Sequence, residues 1–227
     1  MQARKVELAE IIAEASELGT VHWQPLLAAA AVIVVGYGLL DWVSYEMADA
    51  SGLAVVYIIV GSAMAIMLQY VMTERLLADR RPPNLGTQRR RYGTMFVALL
   101  LSSLAIGFGA LLLILPAIYL AGRWLTLVPQ LIESNMGATD SMEASWDTSH
   151  PSQLAFILAM LLSVVPSVVA MIMSAVSETQ PVWIEALPLL AAINVLTAIA
   201  SVLGWLIAVA AYRRAVPAKT QFDNVFG

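Results

Sequence analysis

The placement of twelve Lys and Arg residues between long apolar runs restricts what this 227-residue chain can fold into. Apolar stretches begin near Pro25, Gly52, Thr94, Pro116, Ser152 and Leu187, and a helix of about 20 such residues crosses a bilayer. If each stretch crosses once, Arg4, Lys5, Arg75, Arg80, Arg81, Arg89, Arg90, Arg91, Arg213, Arg214 and Lys219 share one side. Arg123 alone stays inside a span, and the opposite side carries Asp41, Glu46, Asp49, Glu178 and Glu185 without a Lys or Arg. Loops rich in Lys and Arg mark the cytoplasmic side of a polytopic membrane protein. The pattern predicts an all-α bundle of six transmembrane spans with both termini in the cytoplasm.

Composition agrees. The chain is 60% hydrophobic and 12% charged, where a soluble domain runs near 45–50% apolar and about 25% charged. Its length suits one bundle and leaves no room for a separate soluble catalytic domain. The absence of cysteine excludes disulfides, thiolate nucleophiles and Cys-ligated zinc. Ala48-Asp49-Ala50 has the form of a signal-peptide cleavage site, but it lies far beyond the apolar stretch and four glutamates stand where a signal peptide is basic. The first apolar run is therefore expected to remain as a span.

Residues 1–22 read as a cytoplasmic amphipathic helix. Leu8, Ile12 and Ala15 recur at helical spacing, while Glu7, Glu10, Glu14 and Glu17 form an acidic stripe. Helices that bind anionic lipid carry Lys and Arg on the polar face, so this stripe is expected to dock on protein or to stay solvated. The membrane domain, residues 23–213, holds spans at about 25–42, 53–71, 94–115, 117–132, 152–173 and 187–212, followed by a cytoplasmic tail, 214–227. Trp23 and Trp42 stand like interfacial belts around the first span. The stretch 117–132 is short and contains Arg123 and Pro129. If it failed to cross, Arg213, Arg214 and Lys219 would leave the cytoplasm, so it reads as a short, tilted or kinked fourth span. A polar link at 135–151 should hold a helix at 139–148, with Asp140 and Glu143 at capping-box spacing and Met142, Ser145 and Trp146 on a small apolar face. Pro166 falls inside the fifth span.

Arg123 is the leading site candidate, because a cation in hydrocarbon must snorkel, pair or line water. Seven residues past Pro116 places it roughly 10 Å below the outer interface. Either it reaches headgroups or carbonyls there, or it forms a specific ion pair or anion site, with Asp41 the partner expected by depth. Three roles fit the arginine loop of Arg75, Arg80, Arg81, Arg89, Arg90 and Arg91: fixing topology, binding anionic headgroups, and salt-linked packing against the Glu7–Glu17 and Asp140/Glu143/Asp147 stripes. Asp140, Glu143, Asp147 and His150 have the composition of a metal site, but exposed carboxylate stripes are more often solvated or salt-paired.

Gly61 with Ala65, Ser103 with Gly107 and Gly109, and Ala200 with Gly204 and Ala208 lie on small-residue stripes that let helices approach closely. Gly36-x-Gly38 and Gly107-x-Gly109 lack the strand–helix setting and third glycine of a nucleotide fingerprint. Gln69 and Asn194 read as the only deep amides, and no Asp, Glu, Lys or His lies deep in a span, so a proton relay lacks its titratable groups. Both histidines, His22 and His150, fall at the cytoplasmic boundary.

Gly107-Phe-Gly109, Leu112–Ile114, Leu115-Pro116-Ala117-Ile118-Tyr119-Leu120, Arg123, Pro129, Glu133 and Met142-Glu143-Ala144-Ser145-Trp146 form one pattern. It resembles a group of bacterial inner-membrane proteins related to the membrane domain of glycerophosphoryl diester phosphodiesterases. There a Gly-rich span ends in a "PGIYL-x-x-R" turn, and a cytoplasmic "E-A-x-x-x-S-W" helix precedes the next span. Ala117 stands here for the usual glycine. The resemblance covers about 50 residues and implies six spans with both termini inside. It implies no hydrolysis, since that activity belongs to a separate domain with a His-Arg-Gly motif that this chain lacks. The expectation is a non-catalytic module of the bacterial inner membrane, an accessory or lipid-associated component without cofactor or metal. Its partners would be membrane lipids and other membrane subunits or further copies of itself, and not nucleic acid. The alternative is a small-solute or anion transporter with a site near Arg123, since broken helices at membrane depth are one mark of a transport site.

Overall fold

The computed structural model describes residues 4–46, 53–80, 90–177 and 183–217. Every regular element among them is helical: α1 (Leu8–Val21), α2 (Trp23–Glu46), α3 (Leu53–Leu76), α4 (Tyr92–Leu112), α5 (Ile114–Arg123), α6 (Leu127–Ser134), α7 (Ala138–Ser149), a 3₁₀ turn at His150–Ser152, α8 (Gln153–Ser177) and α9 (Trp183–Ala215). Five helices, α2, α3, α4, α8 and α9, are long and apolar enough to cross a membrane, as in a multi-pass membrane protein.

The expected fourth span, 117–132, is not one helix. It is divided into α5 and α6 by a break at Trp124–Thr126, and α5 begins before it, at Ile114. Prolines explain both boundaries. A proline lacks the N–H that would bond the carbonyl four residues back, and its ring clashes with that carbonyl. Pro116 therefore ends α4 at Leu112, and Leu113 is extended (φ −165°, ψ 150°) before the chain turns into α5. Pro129 does the same for the carbonyl of Leu125. Each proline then occupies the first turn of the next helix, where an N–H has no intrahelical partner to lose.

The chain nevertheless comes back to where it began. The Arg4 amide donates to the Ala215 carbonyl at 3.0 Å, and Arg91 before α4 donates through Nη1 to the Asn135 carbonyl after α6 at 2.8 Å. Asn135 takes the left-handed conformation (φ 51°) that closes α6, which Asn tolerates better than most residues. An odd number of long helices would leave the two ends apart. The pair α5–α6 supplies the missing return.

α9 is the central element, packed by α8 on one side and α2 on the other, with α1 across its C-terminal third. The order around the bundle is α3, α2, α9, α8, α5, α4, and α6 lies against α3, α7 and α9. Burial is uneven along this bundle. Ile11, Leu76, Leu77, Met95, Leu131, Ile132, Phe156, Val209 and Tyr212 are buried together at the end that carries Arg4, Arg80, Arg91, Arg213 and Arg214, here termed the charged end. Away from it burial falls. Only 17% of the membrane-length windows of α2 and α3 is buried, against 39% for α9. Val55, Ile58, Ile59, Leu104, Phe108, Val165 and Ile172 stand exposed. Each such side chain forgoes about 1.5–3 kcal/mol if water rather than lipid covers it.

Candidate functional site

Arg123 ends α5 and is almost wholly enclosed, with 1% of its surface accessible. Its guanidinium carbon lies 4.1 Å from the Trp146 ring centroid and 5.9 Å from that of Tyr119. Trp146 in turn meets Tyr119 edge-on at 5.8 Å and Trp124 at 6.2 Å. A guanidinium over an indole face is held by the ring quadrupole, at about 2 kcal/mol when desolvated. Nε, Nη1 and Nη2 have no hydrogen-bond acceptor among the described residues.

The backbone beneath this side chain is tied down. Ser145 and Ser149, one turn apart on α7, donate Oγ–H to the Arg123 carbonyl at 3.0 and 3.2 Å. Thr126 Oγ1 bonds Ser145 Oγ at 2.9 Å, and Gln130 Nε2 donates to Thr148 Oγ1 at 2.7 Å. The two serine hydroxyls satisfy the Arg123 carbonyl, an orphan acceptor where α5 stops short of α6. Gly122 permits the close fit: a Cβ there would meet Ile157 Cγ1 at 2.6 Å and Ile157 Cα at 3.0 Å. Arg123 thus sits beside α7 and the start of α8, at the charged end. α5 runs back from its turn at Leu113, and Arg123 is its last residue.

Asp41 does not meet Arg123. Its carboxylate accepts from Tyr57 OH at 3.1 Å and from Asn194 Nδ2 at 2.8 Å, joining α2, α3 and α9. Asn194 is buried, and Gln130 is a second buried amide, which the sequence reading missed in the stretch 117–132.

Of the arginine loop, Arg81 and Arg89 lie outside the described residues, and Arg75 is exposed. Arg80 donates to the Val216 carbonyl and lies over the Tyr212 ring at 5.5 Å. Arg90 pairs with Glu74 at 3.0 Å, and Arg91 holds Asn135. The tail supplies the strongest links. Arg213 bonds Glu14 through Nε at 2.7 Å and Asp79 through both terminal nitrogens at 2.7 and 2.9 Å, while Arg214 takes the other Glu14 oxygen at 2.7 Å. Asp140, Glu143 and Asp147 are exposed on α7, whose N-cap is Gly137 in place of a capping box at Asp140. Burial pushes the Glu133 carboxyl above the usual range, against the pull of Arg80. No group of His, Asp and Glu among the described residues could hold a metal.

The small residues divide by surroundings. A Cβ on Gly61 would meet the Tyr37 ring at 3.1 Å, and one on Gly109 would meet the Ala117 amide nitrogen at 3.1 Å. Ala65 is half-buried on the Gly61 stripe, and Ala200 is buried with Ala208 half-buried. Ser103 and Gly107 are exposed, and nothing lies within 4 Å of a Cβ on Gly107 or Gly204.

No family model, curated protein or solved structure matches this chain.

Proposed function

We propose that the protein is a non-catalytic, multi-pass module of the bacterial inner membrane, a structural or lipid-associated component that presents its helices to lipid and to further membrane subunits. The observation that carries this reading is the uneven burial: a closed core at the charged end, and membrane-length helices buried to only 17–39% of their windows. Such helices are complete only with lipid or protein against them. The unfilled surface at Gly204 is where an additional helix would approach. The charged end faces the cytoplasm under the positive-inside rule, with α1 as its amphipathic cap and α4 with α5–α6 as the third and fourth strokes of the expected six. The likeness of 107–155 to the phosphodiesterase-linked membrane domains rests on the quoted residues and agrees with this reading.

A carrier would need a polar path to its site. Arg123 is buried against Trp146 and Tyr119 instead, which favours the module over the transporter. The test is extraction in mild detergent followed by reconstitution. Stoichiometric retention of lipid or a membrane subunit, with proteoliposomes that stay tight to anions and small solutes, is the expected result. Saturable flux that disappears in Arg123→Leu would overturn it.

A further inference from the structure

Asp41 carries a charge that the helices around it do not balance. No Lys or Arg occurs between Lys5 and Arg75 or between Arg123 and Arg213. Those stretches supply all of α2, α3 as far as Glu74 and α9 as far as Tyr212. A half-buried carboxylate at a membrane helix junction calls for a partner, and here a cation must come from outside the three helices.

All three helices place this junction at one level. Asp41 lies 18 residues past Trp23, where α2 begins. Its partner Tyr57 lies 18 residues before Arg75 on α3, and its partner Asn194 lies 19 before Arg213 on α9. Each count is a rise of about 27–29 Å from the charged end, close to the thickness of a 30 Å hydrocarbon layer. The junction therefore stands where the far headgroups begin, and the exposed Trp42 beside it suits an interfacial belt.

The chemistry of the junction selects the cation. Tyr57 OH donates to Asp41 Oδ1 at 3.1 Å, and Nδ2 of the buried Asn194 donates to Oδ2 at 2.8 Å. A carboxylate has about four acceptor positions, so these bonds leave room for further donors. Both neighbours point donors at the carboxylate, and no group of His, Asp and Glu among the described residues could hold a metal. A primary ammonium needs no cage of oxygen ligands. It brings N–H donors for the remaining acceptor positions. The Tyr37 ring, one turn back on α2 and 6.3 Å from that of Tyr57, adds a second aromatic face of the kind that attracts cations.

We infer that Asp41, its carboxylate held in place by Tyr57 and Asn194, binds the ammonium group of an ethanolamine phospholipid in the far leaflet. A choline headgroup has the same charge but no N–H to donate, so the junction discriminates against it. The inference rests on the lipid-associated reading above and names the lipid class.

Proteoliposomes holding equal amounts of ethanolamine, choline and glycerol phospholipids with the same acyl chains would be extracted in mild detergent, and the retained lipid measured by mass spectrometry. The parent should retain the ethanolamine lipid over the choline lipid by roughly tenfold, the factor for one charge-assisted hydrogen bond. Asp41→Asn should abolish the preference, whereas Glu178→Gln, which removes another acid expected on that face, should keep it. A second measurement needs the parent alone: retention should fall as methyl groups replace each N–H of the ethanolamine headgroup. Equal retention in the parent, a preference that survives Asp41→Asn, or indifference to N-methylation would overturn the site while leaving the membrane reading intact. So would an equal loss in Glu178→Gln, displacement of the lipid by millimolar free ethanolamine, or release of a membrane subunit by Asp41→Asn with lipid retention unchanged. Failure of the parent to float with the liposomes would overturn the membrane reading itself.

Discussion

Replacing Arg213 with Ala should open the charged end, and the structure sets the size of the effect. Among the described residues, Arg213 alone is bonded to α1, to Asp79 and to the Leu76 carbonyl at the end of α3. Its Glu14 partner has a side chain only 11% exposed, and a charge-assisted hydrogen bond in that setting contributes about 1.5–3 kcal/mol. The Asp79 side chain is 60% exposed, so its paired contacts add no more than about 1 kcal/mol. Arg214 remains on Glu14 at 2.7 Å, which spares the variant a buried, unpaired carboxylate. The expected loss is about 2–4 kcal/mol, or about 5–10 °C in the unfolding midpoint of a chain this long. Thermal denaturation followed by circular dichroism in detergent measures it. Arg90→Ala is the control, because Arg90 is half exposed and its carboxylate partner among the described residues is Glu74, a contact contributing up to about 1 kcal/mol. If Arg213→Ala loses no more than Arg90→Ala, the clasp does not hold the charged end together.

Arg123→Met should be at least as stable as the parent, since it loses about 2 kcal/mol of attraction to Trp146 but avoids a desolvation penalty of several kcal/mol. A loss of several kcal/mol in the same melt would show that the guanidinium has an acceptor. Gly122→Ala should lose about 1–3 kcal/mol through contact with the Ile157 backbone, whereas Gly204→Ala should gain up to about 1 kcal/mol of helix propensity; equal midpoints would refute the packing at α5–α8. Glu133 gives a pH dependence. Its folded pKa lies above the unfolded one, so its stabilising contribution is complete below about pH 4 and is lost as pH rises through the raised value. Glu133→Gln should match the parent at pH 4 and exceed it at pH 7; a variant weaker at pH 7 would mean that the attraction of Arg80 outweighs burial.

The positions of the five long helices were legible from apolar runs and charge. Charge alone also required a return stroke between Pro116 and Ile132, and Arg4 meeting Ala215 agrees with it. What the runs could not reveal was the form of that stroke. Apolar length is counted the same way whether a proline kinks a helix or starts a new one, and here Pro116 and Pro129 each start one. Tyr119, four residues before Arg123 on one helical face, was readable as a neighbour. Trp146, 23 positions later, depends on the fold of α7 over α5, which no local spacing encodes. Glu14 was expected to pair with the Arg75–Arg91 loop, but its partners are Arg213 and Arg214 in the last turn of α9, a distant pairing that no local spacing shows.

The central claim is that the chain's two ends share one side of the membrane although its long helices are odd in number. Single cysteines at Lys5 and at Lys219 in sealed, right-side-out vesicles, treated with an impermeant maleimide before and after permeabilisation, measure this directly. Both should stay unlabelled until the membrane is opened. Labelling of one in intact vesicles while the other stays protected would contradict the account.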